Sequence, residues 1–163
     1  MKRTINICLM LIALIAVSGI ILSSYQTYAH YKVSHESFCD INEQVSCDIV
    51  NRSEYSKMFG IPVALLGVIG YIAFLILSLL LLKDIDFSKV HRKIRTRDVY
   101  YSVFLLVLAA FMFSLFLTYI EVYVLHAICP LCVTSAIFIA TILVLSIVSL
   151  ISFIKSESFN KRA

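Results

Sequence analysis

Charge is scarce in this sequence. Of its 163 residues only 15% are Asp, Glu, Lys or Arg, while 61% are hydrophobic, where a soluble domain carries about 25% charged residues. Tryptophan is absent altogether. No charge interrupts four apolar runs, Ile5 to Ser24, Ile61 to Leu82, Val99 to Ile120 and Ile128 to Ile154. Each run has about 20 residues or more, which at about 1.5 Å per residue crosses a hydrocarbon core about 30 Å thick. A charge at the middle of such a helix costs about 3 kcal/mol, so its absence from all four interiors marks them as spans. The expected fold is an all-α integral membrane protein, a single domain over residues 1–163 built as a four-helix transmembrane bundle. Its helices lie at about 5–24, 61–82, 99–120 and 128–154, with an outer loop over 25–60 and a cytoplasmic loop over 83–98. These spans leave no length for a separate soluble domain.

The few charges present set the orientation. Lys2 and Arg3 precede the first run, Lys83, Lys89, Arg92, Lys93, Arg95 and Arg97 crowd the link between the second and third, and Lys155, Lys161 and Arg162 follow the fourth. The loop between the first two runs holds Lys32, Arg52 and Lys57 against Glu36, Asp40, Glu43, Asp48 and Glu54. The positive-inside rule puts both termini and the basic link in the cytoplasm and the acidic loop outside. Tyr25, Tyr28, Tyr100, Tyr101, Tyr119 and Tyr123 fall at the expected boundaries as an aromatic belt. The basic link matches anionic lipid headgroups, and nothing else in the chain reads a nucleic acid. The first run begins with basic residues, but its apolar stretch of about 18 residues exceeds a signal-peptide core, so it is expected to remain as a helix.

The chain has five cysteines. Cys129-Pro130-Leu131-Cys132 opens the last apolar run, with Pro130 suited to the first helical position and Cys129 to the N-cap. Residues three apart there share a face, and the positive end of the helix dipole beside them is a setting for reactive cysteines. With this topology Cys129 and Cys132 lie on the outer side, as do Cys39 and Cys47 in the acidic loop. Seven residues separate the loop pair, enough to close a disulfide, and the polar residues between them give little reason to expect burial. Cys8, at the cytoplasmic end of the first run, reads as an inert buried thiol. Residues Asp48 to Phe59 suggest a short helix at the membrane surface. Gly60-Ile61-Pro62 reads as a turn into the second helix, and Gly67 and Gly70 as helix-packing positions. His30, His35 and His126 read as surface residues, and Glu121 as a charge at the interface.

The pair Cys39 and Cys47, Ser53 six positions later, the Phe59-Gly60-Ile61-Pro62 turn with Gly67, and Cys129-Pro130-Leu131-Cys132 together resemble the vitamin K epoxide reductase family, over nearly the whole chain. The resemblance implies a four-helix bundle that holds a quinone near its outer end and passes it electrons from protein thiols. By carry-over Cys129 and Cys132 form the active-site disulfide, with Cys132 nearest the quinone, and Cys39 and Cys47 are a shuttle. Cys39 would exchange with a substrate protein and Cys47 would pass electrons to Cys129. Ser53 and Phe59 would help position the quinone, menaquinone or ubiquinone. Vertebrate members carry a tyrosine four residues after the second active-site cysteine. Ala136 stands there, which favours a plain quinone over the epoxide. Bacterial members are often fused to a thioredoxin-like domain. With none in these residues, a separate thioredoxin-fold (DsbA-like) protein is the expected thiol donor to a monomeric enzyme in the inner or cytoplasmic membrane.

A relay also follows from physics alone. A soluble protein cannot enter the bilayer and a prenylated quinone cannot leave it, yet thiol–disulfide exchange needs contact between sulfurs. An exposed pair would take the electrons and swing onto a pair fixed beside the quinone. Three other readings compete: a four-cysteine zinc site, disfavoured by the loose spacing of the loop pair; a DsbB-like thiol oxidase, whose Cys-x-x-Cys would stand in the first outer loop and its spaced pair in the second, the reverse of the order here; and a non-enzymatic membrane protein stapled by two structural disulfides.

Overall fold

A computed structural model describes residues 2–32, 39–41, 44–58, 60–83 and 96–160. Phe59, His35 and the basic residues Lys89, Arg92, Lys93, Arg95, Lys161 and Arg162 lie outside the described residues. Four long helices dominate: α1 (Lys2–Tyr31), α3 (Val63–Leu82), α4 (Thr96–Tyr123) and α5 (Pro130–Asn160). All four are long and apolar enough to cross a membrane. Together they make an all-α membrane bundle. A shorter helix, α2 (Cys47–Arg52), and a single 3₁₀ turn, Glu54–Ser56, lie between α1 and α3.

The helices outrun the apolar stretches that define them. After Ser24, α1 continues to Tyr31, through residues with no Gly or Pro to stop it. That extension places Gln26 on the interior face, 8% exposed. Helix α4 likewise passes Ile120 and takes in Glu121. Helix α5 starts at Pro130 rather than Ile128, which leaves Cys129 immediately before it.

Packing is uneven around the bundle. Helix α1 lies along both α3 and α5, and α5 also packs on α4, but α3 and α4 scarcely touch. Two apolar layers fill most of the interior. The middle layer joins Ile12 and Ala16 of α1, Tyr71 and Phe74 of α3, Val107 of α4 and Ile142 of α5. The Tyr71 ring sits so close to Gly19 of α1 that a Cβ there would collide with it. A second layer at one end of the bundle joins Ile5, Leu9, Leu81, Val99, Tyr100 and Leu150. Cys8 is buried near this end as a free thiol.

The segment between α1 and α3 folds over the other end. Ser46 caps α2, its hydroxyl accepting from the Ile49 N–H at 3.2 Å and donating to Asp40 Oδ1 at 2.6 Å. The α2 helix is tied back to α1 by Asn51 Nδ2 donating to the Gln26 carbonyl at 2.8 Å and by His30 Nδ1 against the Asn51 carbonyl at 2.6 Å. His30 is therefore an anchor for the loop and not a free surface residue. A hairpin of two very short strands, β1 (Lys57–Met58) and β2 (Ile61–Pro62), leads into α3, with Met58 opposite Ile61. Gly60 lies in that turn at φ +80°, a conformation costly for other residues. From Asp48 to Met58, the described part of the expected surface helix, the chain forms α2, a 3₁₀ turn and a strand.

Candidate functional site

The expected contrast between an exposed loop pair and a fixed membrane pair does not hold, because the loop pair is buried. Cys39 and Cys47 form a disulfide with their Cα atoms 5.8 Å apart, and each is only 5% exposed. Of the polar residues between them, Gln44 is exposed, while Ser46 caps α2 and Asp40 accepts from Ser46 and from the Asp48 N–H. The two sulfurs pack with Val50, Ala127 and Cys129 in a small cluster of their own. The loop is held there by backbone pairing to the turn before α5. The Ser46 N–H donates to the Ile128 carbonyl at 3.2 Å and the Ile128 N–H to the Gln44 carbonyl at 2.8 Å. Residues Val45 and Ile128 make a short parallel bridge. Cys47 lies two residues beyond Val45 and Cys129 one beyond Ile128, so the pairing brings Cys47 Sγ to 3.4 Å from Cys129 Sγ. No swing of the loop is needed to bring these sulfurs together.

Cys129 and Cys132 are free thiols. Cys129 precedes Pro130 and its sulfur accepts the Cys132 N–H at 3.2 Å, the position that a serine or aspartate side chain fills in an ordinary N-cap. Gln26 of α1 reaches across from the opposite wall. Its Nε2 donates to Cys132 Sγ at 3.5 Å and lies 3.9 Å from Cys129 Sγ. The turn that delivers this pair is tight, with His126 at φ +49° and the Ala127 N–H donating to the Glu121 carbonyl at 3.2 Å.

Beside Cys132 opens a cavity of about 220 Å³, in the gap where α3 and α4 fail to meet. Phe74, Phe113, Leu117 and Ile139 give it apolar walls, and Gln26, Ser53, Ser56, Glu121 and Cys132 place polar groups on its rim. Gly70 borders the cavity with nothing within 4 Å of a Cβ, so its smallness leaves room and does not serve helix packing. Gly67 does serve packing, since a Cβ there would stand 3.0 Å from Ser23 Oγ of α1. Tyr71 contributes its hydroxyl, 2.9 Å from Ser135 Oγ. Ser53 lines the cavity too, while its hydroxyl donates to the Val50 carbonyl at 2.8 Å and closes the end of α2. The two roles are compatible, because a hydroxyl that donates inward still accepts from the cavity side.

A model of the vitamin K epoxide reductase family matches residues 10–147. The chain belongs to the vitamin K epoxide reductase family. It is therefore a multi-pass membrane oxidoreductase of disulfide-generating chemistry that works with a quinone. The cavity fits that co-substrate: apolar, aromatic-lined walls suit a quinone ring and its hydrocarbon tail, and a few polar groups converge at the end where Cys132 lies.

Two members of this site escape a reading of the sequence. Gln26 lies just past the apolar run that defines the first span, and only the extension of α1 turns it inward. Glu121 reads as an interfacial charge, yet it is 5% exposed. Its Oε2 accepts the Cys129 N–H at 3.3 Å, and its carboxyl lines the same cavity as Cys132, close enough for the two groups to interact electrostatically. A signal for it was present. A carboxylate in the last turn of a helix opposes the macrodipole, so a residue kept there has a local reason.

Proposed function

We infer that this protein is a thiol oxidase that carries electrons from a reduced thioredoxin-fold protein, through Cys39–Cys47 and then Cys129–Cys132, to menaquinone or ubiquinone. One observation carries the order: Cys47, already bonded to Cys39, lies 3.4 Å from Cys129, while Cys132 borders the cavity. A partner thiolate attacks Cys39 and frees Cys47 as a thiolate. The partner's second thiol then resolves the mixed disulfide and leaves oxidised. Cys47 attacks Cys129 of the Cys129–Cys132 disulfide and expels Cys132, after which Cys39 attacks Cys47 and releases Cys129. The inner pair now holds two electrons and two protons, which a quinone accepts to become a quinol, and Cys129–Cys132 forms again. Because Cys39 is buried, contact with a protein thiol requires the loop around it to yield locally.

The positive-inside distribution supports an orientation with both termini in the cytoplasm and the cysteine end outside, facing substrates that need disulfides. The residues that would position the quinone are Ser53, Cys132 and, from the sequence resemblance, Phe59. The zinc alternative is weakened by the bond between Cys39 and Cys47, which leaves two of the four sulfurs unable to act as thiolate ligands. The deciding experiment follows quinone reduction by absorbance, with reduced thioredoxin-fold protein as donor, for wild type, Cys132→Ala and Cys39→Ala. The expected outcome is no turnover in Cys132→Ala, and in Cys39→Ala a loss with protein thiols but not with a small dithiol. Wild-type turnover in both variants would make the cysteines structural.

A further inference from the structure

We propose that Glu121 is the proton carrier of the Cys129–Cys132 pair, protonating Cys132 when its disulfide opens and taking that proton back when the pair reduces quinone. The assignment rests on the quinone-reducing reading above and adds to it a group for which the sulfur relay has no use.

Four observations converge on this carboxyl. It is buried beside the cavity, accepts the Cys129 N–H at 3.3 Å, and lines the cavity together with Cys132, with which it interacts electrostatically. Among the described residues no lysine, arginine or histidine borders the cavity, and Glu121 has no ion-pair partner. The titratable groups around the cavity are Tyr55 of the loop, Tyr71 of α3, Cys132 of α5 and Glu121 itself, with Cys129 beneath them. Helix α1 presents only the neutral Gln26 and Ser23 there. Finally, Glu121 ends α4, where the helix dipole opposes a negative charge. A buried carboxyl with no cation, at the wrong end of a helix, costs stability unless it is used.

The chemistry needs such a group twice. Attack of Cys47 on Cys129 expels Cys132 as a thiolate inside a largely apolar cavity, where the Glu121 carboxylic acid supplies a proton as the sulfur leaves. In the return step the Glu121 carboxylate removes the Cys132 proton as the sulfur electrons pass to quinone and Cys129 closes the disulfide. Two thiols and one quinone give one disulfide and one quinol: one proton comes from Cys129, the other is the Cys132 proton passed on through Glu121, and the carboxylate that remains is reprotonated by the proton the donor thiol gave up when it became a thiolate. Gln26 complements it, since its amide donates to Cys132 Sγ and steadies the negative charge that builds on that sulfur during each transfer.

The test separates a proton carrier from a mere brace, because glutamine preserves an acceptor for the Cys129 N–H but holds no exchangeable acid. Full-length wild type, Glu121→Gln and Glu121→Asp in liposomes are taken fully oxidised. Reduction of each disulfide by dithiothreitol without quinone is followed by alkylation and peptide mass. Quinol formation is then measured separately across pH. General acid–base catalysis is worth about 10²–10⁴ in rate. Glu121→Gln should therefore slow opening of Cys129–Cys132 and quinol formation at least tenfold, leave Cys39–Cys47 unchanged, and erase the pH limb contributed by the carboxyl. Glu121→Asp should recover part of the rate and that limb. Wild-type rates in Glu121→Gln overturn the proposal, as do equal losses in Gln and Asp. A wild type that opens its disulfides but never reduces quinone refutes the quinone reading, and the proton role is then judged on the quinone-free half-reaction alone.

Discussion

At one end of the bundle Ile5, Leu9, Leu81, Val99, Tyr100 and Leu150 close on one another, with the Tyr100 and Phe153 rings stacked 4.5 Å apart. At the other end Ser23, Gln26, Glu121 and Cys132 surround open space, with Cys39, Cys47 and Cys129 packed in a cluster beside it. Hydropathy distinguishes these ends poorly, since each long helix is apolar across the stretch that spans the membrane. The difference lies in which pairs of helices meet. Large side chains seal the first end, whereas toward the second α3 and α4 diverge and α2 with its loop forms the lid. Packing gives stability where it is complete and chemistry where it is withheld, because a redox site needs room for a substrate and polar atoms beside the reacting sulfur.

This contrast is open to attack by substitution. The largest expected effect belongs to Cys132→Ser, which should abolish quinone reduction with any donor while leaving the Cys39–Cys47 disulfide and the helical content intact, as read by absorbance, alkylation mass and circular dichroism. Next comes Gln26→Leu, which removes the hydrogen-bond donor to Cys132 Sγ. A hydrogen bond to a charged group contributes about 1.5–3 kcal/mol, so turnover should fall by about tenfold or more at unchanged thermal stability. Filling the cavity instead, with Gly70→Leu, should raise KM for quinone about tenfold without unfolding the protein, since nothing stands within 4 Å of a Cβ there. If stability collapses, the gap between α3 and α4 is not the open space described.

At the sealed end the signature should reverse. Leu81→Ala leaves a void among well-packed neighbours and should cost about 2–4 kcal/mol in a denaturation assay, with turnover at low temperature within about twofold of wild type. The smallest effect belongs to Cys8→Ala, a free buried thiol far from the other sulfurs by its place in α1. Both activity and stability should stay close to wild type, and a large loss of turnover would mean that the sealed end takes part in the chemistry.

Much of the architecture was legible because the bilayer is a demanding solvent. Runs of about 20 apolar residues have one structural solution in it, and the scarcity of charge marked those runs without any packing information. The reactive turn was legible for a similar local reason: proline between two cysteines at the head of a span specifies a helix start. Other assignments depended on neighbours in space. The burial of Cys39 and Cys47 rests on backbone bonds from Gln44 and Ser46 to Ile128, residues more than 80 positions apart in the chain. The same kind of reason separates Gly67 from Gly70: one faces Ser23 of α1 and the other faces the cavity.

By itself, then, the sequence determined four membrane-spanning helices, a helix start at Pro130 and two cysteine pairs, since each depends on hydropathy or on residues a few positions apart. Tertiary structure alone decided that Cys47 rests against Cys129, that Gln26 and Glu121 close on Cys132, and that a cavity opens between α3 and α4. Those features arise from which helix faces meet, and a helix that is apolar on every side does not announce in its own residues which face will find a partner.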